Sequence, residues 1–290
     1  MLQNLKLKTL HRINPDFIWY LYARKCKKIF NKSYFILSFD CDTEEDINVA
    51  WDVHSRLQDM GITPVYAVPG ALLQKGEKVY QRIFETGAEF INHGGREHTY
   101  FDTSHNRHAS CFFYDQQPFE ILKADILQGH KILQDVLGIT PDVWRTPHFG
   151  TFQHQDHLNF LYELLKENNY KISTSTSPMM AYRNAPLYKK KDIIEVPVTG
   201  IFSEPFNIMD TWVYFGAPDR VKTPIDYLKT CTSLSQFASQ NPLFINIYGD
   251  PSHIHDHPEF FQAMKQMSRH ISPINFTQLL EVTYDKICTF

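Results

Sequence analysis

Short, nearly unbroken apolar runs alternate along this chain with longer stretches in which apolar residues recur every three or four positions. The first pattern suits a strand buried on both faces, the second a helix with one apolar face. Residues 34–40, Tyr-Phe-Ile-Leu-Ser-Phe-Asp, predict a strand; 44–60, with Ile47, Ala50, Trp51, Leu57 and Met60 at helical spacing, predict a helix stopped by Gly61. The alternation continues through strand 62–68, helix 72–86 ended by Gly87, strand 89–92, helix 119–137 closed by Gly138 and a strand end at 143–145. Helix 157–168, strands 170–173 and 193–198, helix 225–237, strand 243–248, helix 258–267 and a last strand and helix over about 273–285 complete it. Such repeats imply an α/β protein with a mostly parallel sheet, either open or closed into a barrel. Pro147, Pro178, Pro186, Pro197, Pro205 and Pro218 mark a loop-rich middle, not a boundary between domains.

With 290 residues, 43% of them hydrophobic, the chain has material for one large core. Cys26, Cys41, Cys111, Cys231 and Cys288 are odd in number and scattered, which suggests neither a disulfide framework nor a zinc knuckle. The net charge of -3 conceals an asymmetry: residues 1–33 carry eight Lys and Arg against Asp16 alone, leaving an acidic remainder. An acidic body argues against a nucleic-acid partner. We therefore divide the chain into a basic N-terminal helical arm, 1–33, and a catalytic domain, 34–290. The arm's aromatic stretch, 17–22, is too short to span a bilayer and lacks the features of a cleavable signal. It is expected to pack on its own barrel, with peripheral contact to anionic lipid as the alternative. The expected location is cytoplasmic, with or without membrane association.

Chemistry collects where strands end. Asp40 and Asp42 close the first apolar run, and at strand period both point the same way, so that one can bind a metal while the other takes a proton. His93 follows the strand at 89–92, and His98 comes five residues later. Imidazoles beside carboxylates suit a borderline divalent cation such as zinc, with positions left for water and substrate.

Taken in order, Ser38-Phe39-Asp40-Cys41-Asp42, Asn92-His93 with His98, and Arg145-Thr146-Pro147-His148-Phe149-Gly150 resemble the polysaccharide deacetylases with a NodB-homology domain, carbohydrate esterases of the deacetylase type. The resemblance runs from about Tyr34 to Thr283 and includes weaker matches at 194–198 and 244–248. It implies an irregular (β/α) barrel with fewer than eight repeats, here with an N-terminal basic helical extension. It further implies that Asp40 is the general base, that Asp42, His93 and His98 hold a divalent metal, most simply zinc, and that Arg145 orients Asp40. A guanidinium is no proton shuttle at neutral pH. His148 and Phe149 are placed at the substrate groove, with Phe112, Phe113, Tyr114 and Phe152 as either a sugar platform or core.

The chain departs from the family pattern in several places. Cys41 separates the two aspartates, and the histidines are five apart, with Glu97 where the second is expected. Glu97 is therefore an alternative or additional ligand. The family's aspartate-tryptophan motif has no counterpart in the hydroxyl-rich stretch 170–177, which we read as a surface loop, with hydrogen bonding of its hydroxyls to sugar or backbone as the alternative. The late histidine that serves the family as general acid is replaced by Asp250-Pro251, leaving His253 and then His255 as candidates. The implied reaction is metal-dependent removal of an N-acetyl group from an amino sugar in a glycan or its precursor. The alternatives are a catalytically inactive carbohydrate-binding relative and a hydrolase of small cyclic amides or ureides.

Overall fold

The computed structural model describes residues 2–14, 16–216 and 221–287; Pro218 and Cys288 lie outside them. Strands β1 (Tyr34–Asp40), β2 (Val65–Val68) and β3 (Phe90–Asn92) are followed by a hairpin, β4 (Thr99–Asp102) and β5 (Arg107–Ser110). After it come β6 (Val143–Trp144), β7 (Ile172–Ser173), β8 (Tyr188–Lys190), β9 (Ile193–Glu195), a second hairpin of β10 (Gly200–Ile201) and β11 (Glu204–Ile208), β12 (Phe244–Gly249) and β13 (Ser272–Pro273). The main sheet runs β12-β1-β2-β3-β6-β7-β9-β8, with β13 beside the lower half of β1. Every pairing in it is parallel except β8 with β9.

The sheet curls into an incomplete (β/α) barrel. Its gap is bridged beyond β9, where Thr199 N donates to Asn246 O at 2.8 Å and Asn246 Nδ2 donates to Val196 O at 3.1 Å. β1 is central and buried at all seven positions, as its unbroken apolar run requires.

The connecting helices are α3 (Glu44–Gln58), α4 (Gly70–Lys75), α5 (Glu77–Phe84), α6 (Phe119–Leu137), α7 (Gln155–Glu167), α8 (Pro178–Arg183), α9 (Pro224–Ala238), α10 (Pro251–Ile254), α11 (Pro258–Ser268) and α12 (Phe276–Ile287). The single helix expected over 72–86 is broken at Gly76. There Tyr80 and Ile47 pack so closely that a Cβ would lie 2.8 and 2.9 Å from them.

In the basic arm, α1 (Leu2–Ile13) and α2 (Phe17–Ile29) lead into β1. α2 buries Ile18, Trp19, Tyr22, Ala23, Cys26 and Ile29. Trp19 Nε1 donates to Phe202 O at 2.8 Å and Tyr22 OH to Phe244 O at 2.7 Å. Lys25 Nζ donates to the carbonyls of Tyr182, Arg183 and Asn184 at the C-terminal end of α8, where a cation is favoured. Because Phe244 and Tyr34 begin their strands, α2 covers the end of the barrel at which strands start. No helix among the described residues is long and apolar enough to cross a membrane.

Candidate active site

Asp40 is the last residue of β1, and a capping box fixes the loop after it. Thr43 accepts from Asp46 N, and the Asp46 carboxylate accepts from Thr43 N and Oγ1. Asp42 lies between these anchors, and its carbonyl accepts from Thr99 Oγ1 of β4. Across the sheet, Asn92 ends β3 with Nδ2 donating to Ile126 O and Tyr170 OH and Oδ1 accepting from Gly94 N. That folds the turn carrying His93.

Asp42, His93 and His98 converge, their ligand atoms all within 4.8 Å of one another. His93 Nε2 is 3.4 Å, and His98 Nδ1 3.5 Å, from Asp42 Oδ1. The outer nitrogens are occupied: His93 Nδ1 donates to Arg145 O at 2.9 Å, and His98 Nε2 to His93 O at 2.9 Å. Those bonds fix both tautomers and leave the inner lone pairs aimed at Asp42. Asp42 Oδ1, His93 Nε2 and His98 Nδ1 are all buried without a hydrogen-bond partner. Polar atoms so placed are costly unless something binds them. Two imidazoles and a carboxylate around a shared point fit a divalent cation.

The charges reinforce one another. Burial alone would raise the Asp42 carboxyl, but the two imidazoles of His93 and His98 beside it hold it well below the usual range. Burial likewise disfavours the His93 imidazolium, yet Asp40 and Asp42 outweigh it and raise the pKa. Cys41 is fully buried, which pushes its thiol well above the ordinary value, and it stands outside the converging group of Asp42, His93 and His98.

Arg145 Nη1 donates to Asp40 Oδ1 at 2.7 Å, with the guanidinium fully buried. Asp40 Oδ2 faces the triad, 3.9 Å from His93 Nε2. Behind Arg145 stands the hydroxyl-rich stretch, which the structure buries: Ser173, Thr174, Ser175 and Thr176 are all fully enclosed. Thr174 Oγ1 accepts from Arg145 Nη2 at 3.5 Å and from Asn246 Nδ2 at 2.9 Å. Ser175 Oγ accepts from Thr146 N, and Glu195 Oε1 accepts from Ser175 N and Thr176 Oγ1. The surface-loop expectation for 170–177 is corrected. Its hydroxyls supply internal hydrogen bonds, a role that composition does not distinguish from solvation.

The remaining candidates fall in different places. His148, half-buried with φ of 46°, donates from Nε2 to His98 O at 3.1 Å and tilts against Phe113, so it supports the His98 turn. Phe149 is buried against Tyr248 and presents no free ring face; Tyr114 and Phe152 are buried too. Glu97 pairs with Lys75 at 2.9 Å and stands outside the converging triad. His253 Nδ1 lies 3.0 Å from Asp250 Oδ2. His255 turns to Asp52 and Asp256, away from Asp40.

Sequence reasoning missed the β4–β5 hairpin, whose tip-side aromatics Tyr100 and Phe101 are exposed. With Glu44, Glu45 and His108 they line a cavity of about 340 Å³ that opens beside Asp42. The β-branched and aromatic run Thr99-Tyr100-Phe101 was the available signal.

Neither a family model nor a curated protein sequence matches the chain. Solved structures do. A Mycobacterium smegmatis protein assigned to the polysaccharide deacetylases superposes with a TM-score of 0.65 at 14% identity, over 88% of this chain and 92% of its own. Peptidoglycan deacetylase PdaC from Bacillus subtilis gives 0.55 at 12% identity, over 89% and 95%. A mutant of a CE4-family pseudoenzyme with restored activity gives 0.52 at 11%, over 86% and 68%. At such identities the likeness establishes the fold: this chain has the incomplete barrel of the NodB-type deacetylases.

Proposed function

We propose that this chain is a metal-dependent hydrolase that removes an N-acetyl group from an amino sugar in a glycan or glycan precursor. One observation carries the reading. Three buried, unpartnered ligand atoms of Asp42, His93 and His98 converge beside an Asp40–Arg145 pair at the carboxyl ends of parallel strands. The fold shared with deacetylases supports it.

A divalent cation held by Asp42, His93 and His98, with zinc suited to the donor set, would acidify water and polarise the acetyl carbonyl. Asp40 takes the proton of the attacking water on Oδ2, the oxygen that Arg145 leaves free. Arg145 has no proton to give and acts by holding the carboxylate, while its carbonyl orients His93. Tyr100 and Phe101 offer apolar ring faces of the kind that stack on pyranoses, and the cavity they line leads to Asp42. His148 acts through His98 and not by touching sugar.

The test is acetate release from N-acetylated glucosamine oligomers by metal-loaded protein, alongside metal analysis. Absence of a stoichiometric divalent ion, or release unchanged in Asp40→Asn, overturns this reading. A carbohydrate-binding protein without activity, as the pseudoenzyme among its structural neighbours suggests, would bind the oligomers and release nothing.

The arm supports a second contact. Leu5, Leu10 and Ile13 of α1 and Phe17 and Tyr20 of α2 are exposed, and Lys6, Lys8, Arg12, Arg24, Lys27 and Lys28 are exposed among them. Interleaved apolar and basic side chains suit the surface of an anionic bilayer. β1 alone separates that end from Asp40 by roughly 20 Å, so a glycan would be met well away from the lipid surface.

A further inference from the structure

The hydrolase reading leaves one step without a donor, since the departing amine must acquire a proton. The parallel register answers where one sits. Tyr248 lies opposite Ser38 and Gly249 opposite Phe39; Asp250 is still extended, so the same register carried one residue past β12 sets it level with Asp40 and starts its side chain toward the same face. It emerges where Tyr248 packs under the Arg145 guanidinium, 5.1 Å from its ring centre. A donor acting on the substrate whose attacking water Asp40 deprotonates needs this position.

His253 is placed differently. Its Nδ1 lies 3.0 Å from Asp250 Oδ2 and 3.4 Å from Thr211 Oγ1. Its ring packs on Gly216, in a single π-helical turn (Trp212–Gly216), so closely that a Cβ at residue 216 would lie 2.7 Å from Nε2 and 2.8 Å from Cδ2 and Cε1. One nitrogen is committed to the carboxylate, while the side chain stays a quarter exposed and open to proton exchange with solvent. The imidazole is thus turned to Asp250 and Thr211. Thr211 Oγ1 accepts from Asp250 N at 2.9 Å, and Asp46 Oδ1 accepts from Ser252 N at 2.9 Å, so the segment is anchored to the same acid that caps α3.

We infer that Asp250 delivers the proton to the leaving nitrogen and that His253 holds and replenishes it, the reverse of a histidine donor backed by a carboxylate. The inference rests on the amide-hydrolase reading. One water is consumed: its oxygen bonds to the acetyl carbon and its proton goes to Asp40. The C–N bond then breaks, its electron pair goes to nitrogen, and nitrogen takes the Asp250 proton. The products are acetic acid and the free amine. The proton on Asp40 returns to solvent, and His253 passes one to Asp250 and regains its own from solvent.

The surroundings favour a retained proton. Asp46 from α3, Asp42 from the loop after β1, Asp210 from the segment before the π-turn, and Tyr248 surround the Asp250–His253 pair. Burial pushes the Asp250 carboxyl up to about 7 even with His253 beside it. Burial would lower His253, but Asp250, Asp46 and Asp210 outweigh it and raise it to about 9. Titrating as a unit, the pair carries at least one proton at neutral pH.

The test compares zinc-loaded wild type, Asp250→Asn, His253→Gln and Asp40→Asn on an N-acetylglucosamine oligomer and on para-nitrophenyl acetate, whose phenolate leaves without protonation. Asp250→Asn should lower the amide-to-ester turnover ratio at least ~100-fold, His253→Gln roughly tenfold, and Asp40→Asn should leave the ratio unchanged while both rates fall. Infrared titration of wild type should show a protonated-carboxyl band lost near pH 7 and missing from Asp250→Asn. An unchanged ratio in Asp250→Asn, a larger ratio loss in His253→Gln, or no such band overturns the assignment. Wild type that cleaves the ester but no N-acetyl substrate overturns the hydrolase reading itself, whatever the infrared spectrum shows.

Discussion

Where the strands begin, Trp19, Tyr22 and Lys25 each spend their donors on backbone carbonyls, and Trp19 stacks on Phe202 at 5.3 Å. Where the strands end, Asp42 Oδ1, His93 Nε2, His98 Nδ1 and Arg145 Nε are buried with no hydrogen-bond partner, and His148 holds a left-handed backbone. The first end lowers the free energy of the fold; the second raises it and keeps ligand atoms free. Unsatisfied polar groups and strain are tolerated where something else is to be bound. The α2 cap helps to offset their cost.

The largest effect should come from emptying the costly end. Asp42→Ala should abolish stoichiometric metal and lower acetate release by at least ~1,000-fold, and the rise in melting temperature that zinc confers on wild type should vanish with it. Metal analysis and calorimetry with and without zinc check this. Asp40→Asn should retain the metal but lose roughly 100- to 10,000-fold in turnover, which separates base from ligand.

At the opposite end the same experiments should invert. Trp19→Ala should cost about 3–5 kcal/mol in urea unfolding, with the turnover of the folded fraction unchanged. If turnover collapses while stability holds, the two ends are not distinct in the way described.

Smaller effects sharpen the contrast. His253 has a folded pKa raised to about 9, so its proton is held below that value and lost as pH rises through it. Amide turnover should fall about tenfold per unit as pH rises above about 7, where Asp250 loses its proton, and more steeply above about 9; Trp19→Ala should leave both limbs in place. Least of all, Leu10→Asp with Ile13→Asp should reduce co-sedimentation with anionic vesicles several-fold and leave acetate release on soluble oligomers unchanged.

Much of the costly end was legible in the chain. An apolar run ending in Asp40, a short strand ending before His93, and Arg145 before Pro147 are local patterns, and the strand-helix alternation placed them at one rim. The Thr43–Asp46 capping box was not read from the sequence, nor was its second role, accepting from Ser252 N. The hydroxyls at 173–176 misled, because serine and threonine have the same composition in a solvated loop as in a buried network around Glu195. Tyr100 and Phe101 passed unnoticed because a four-residue strand carries too little periodicity to stand out in a chain with 22 Phe and 15 Tyr.

By itself, the sequence determined the main alternation of parallel strands and helices, the candidate ligands and the charge asymmetry of the arm, because each follows from neighbours within a few residues. Only the tertiary structure decided which oxygen of Asp40 is free, that Glu97 belongs to Lys75, and that Asp250 follows a strand in register with β1 and pairs with His253. Those outcomes depend on the register between β1 and β12, two strands some two hundred residues apart in the chain. Pairing at that separation is set by how the whole barrel closes, and no local pattern encodes it.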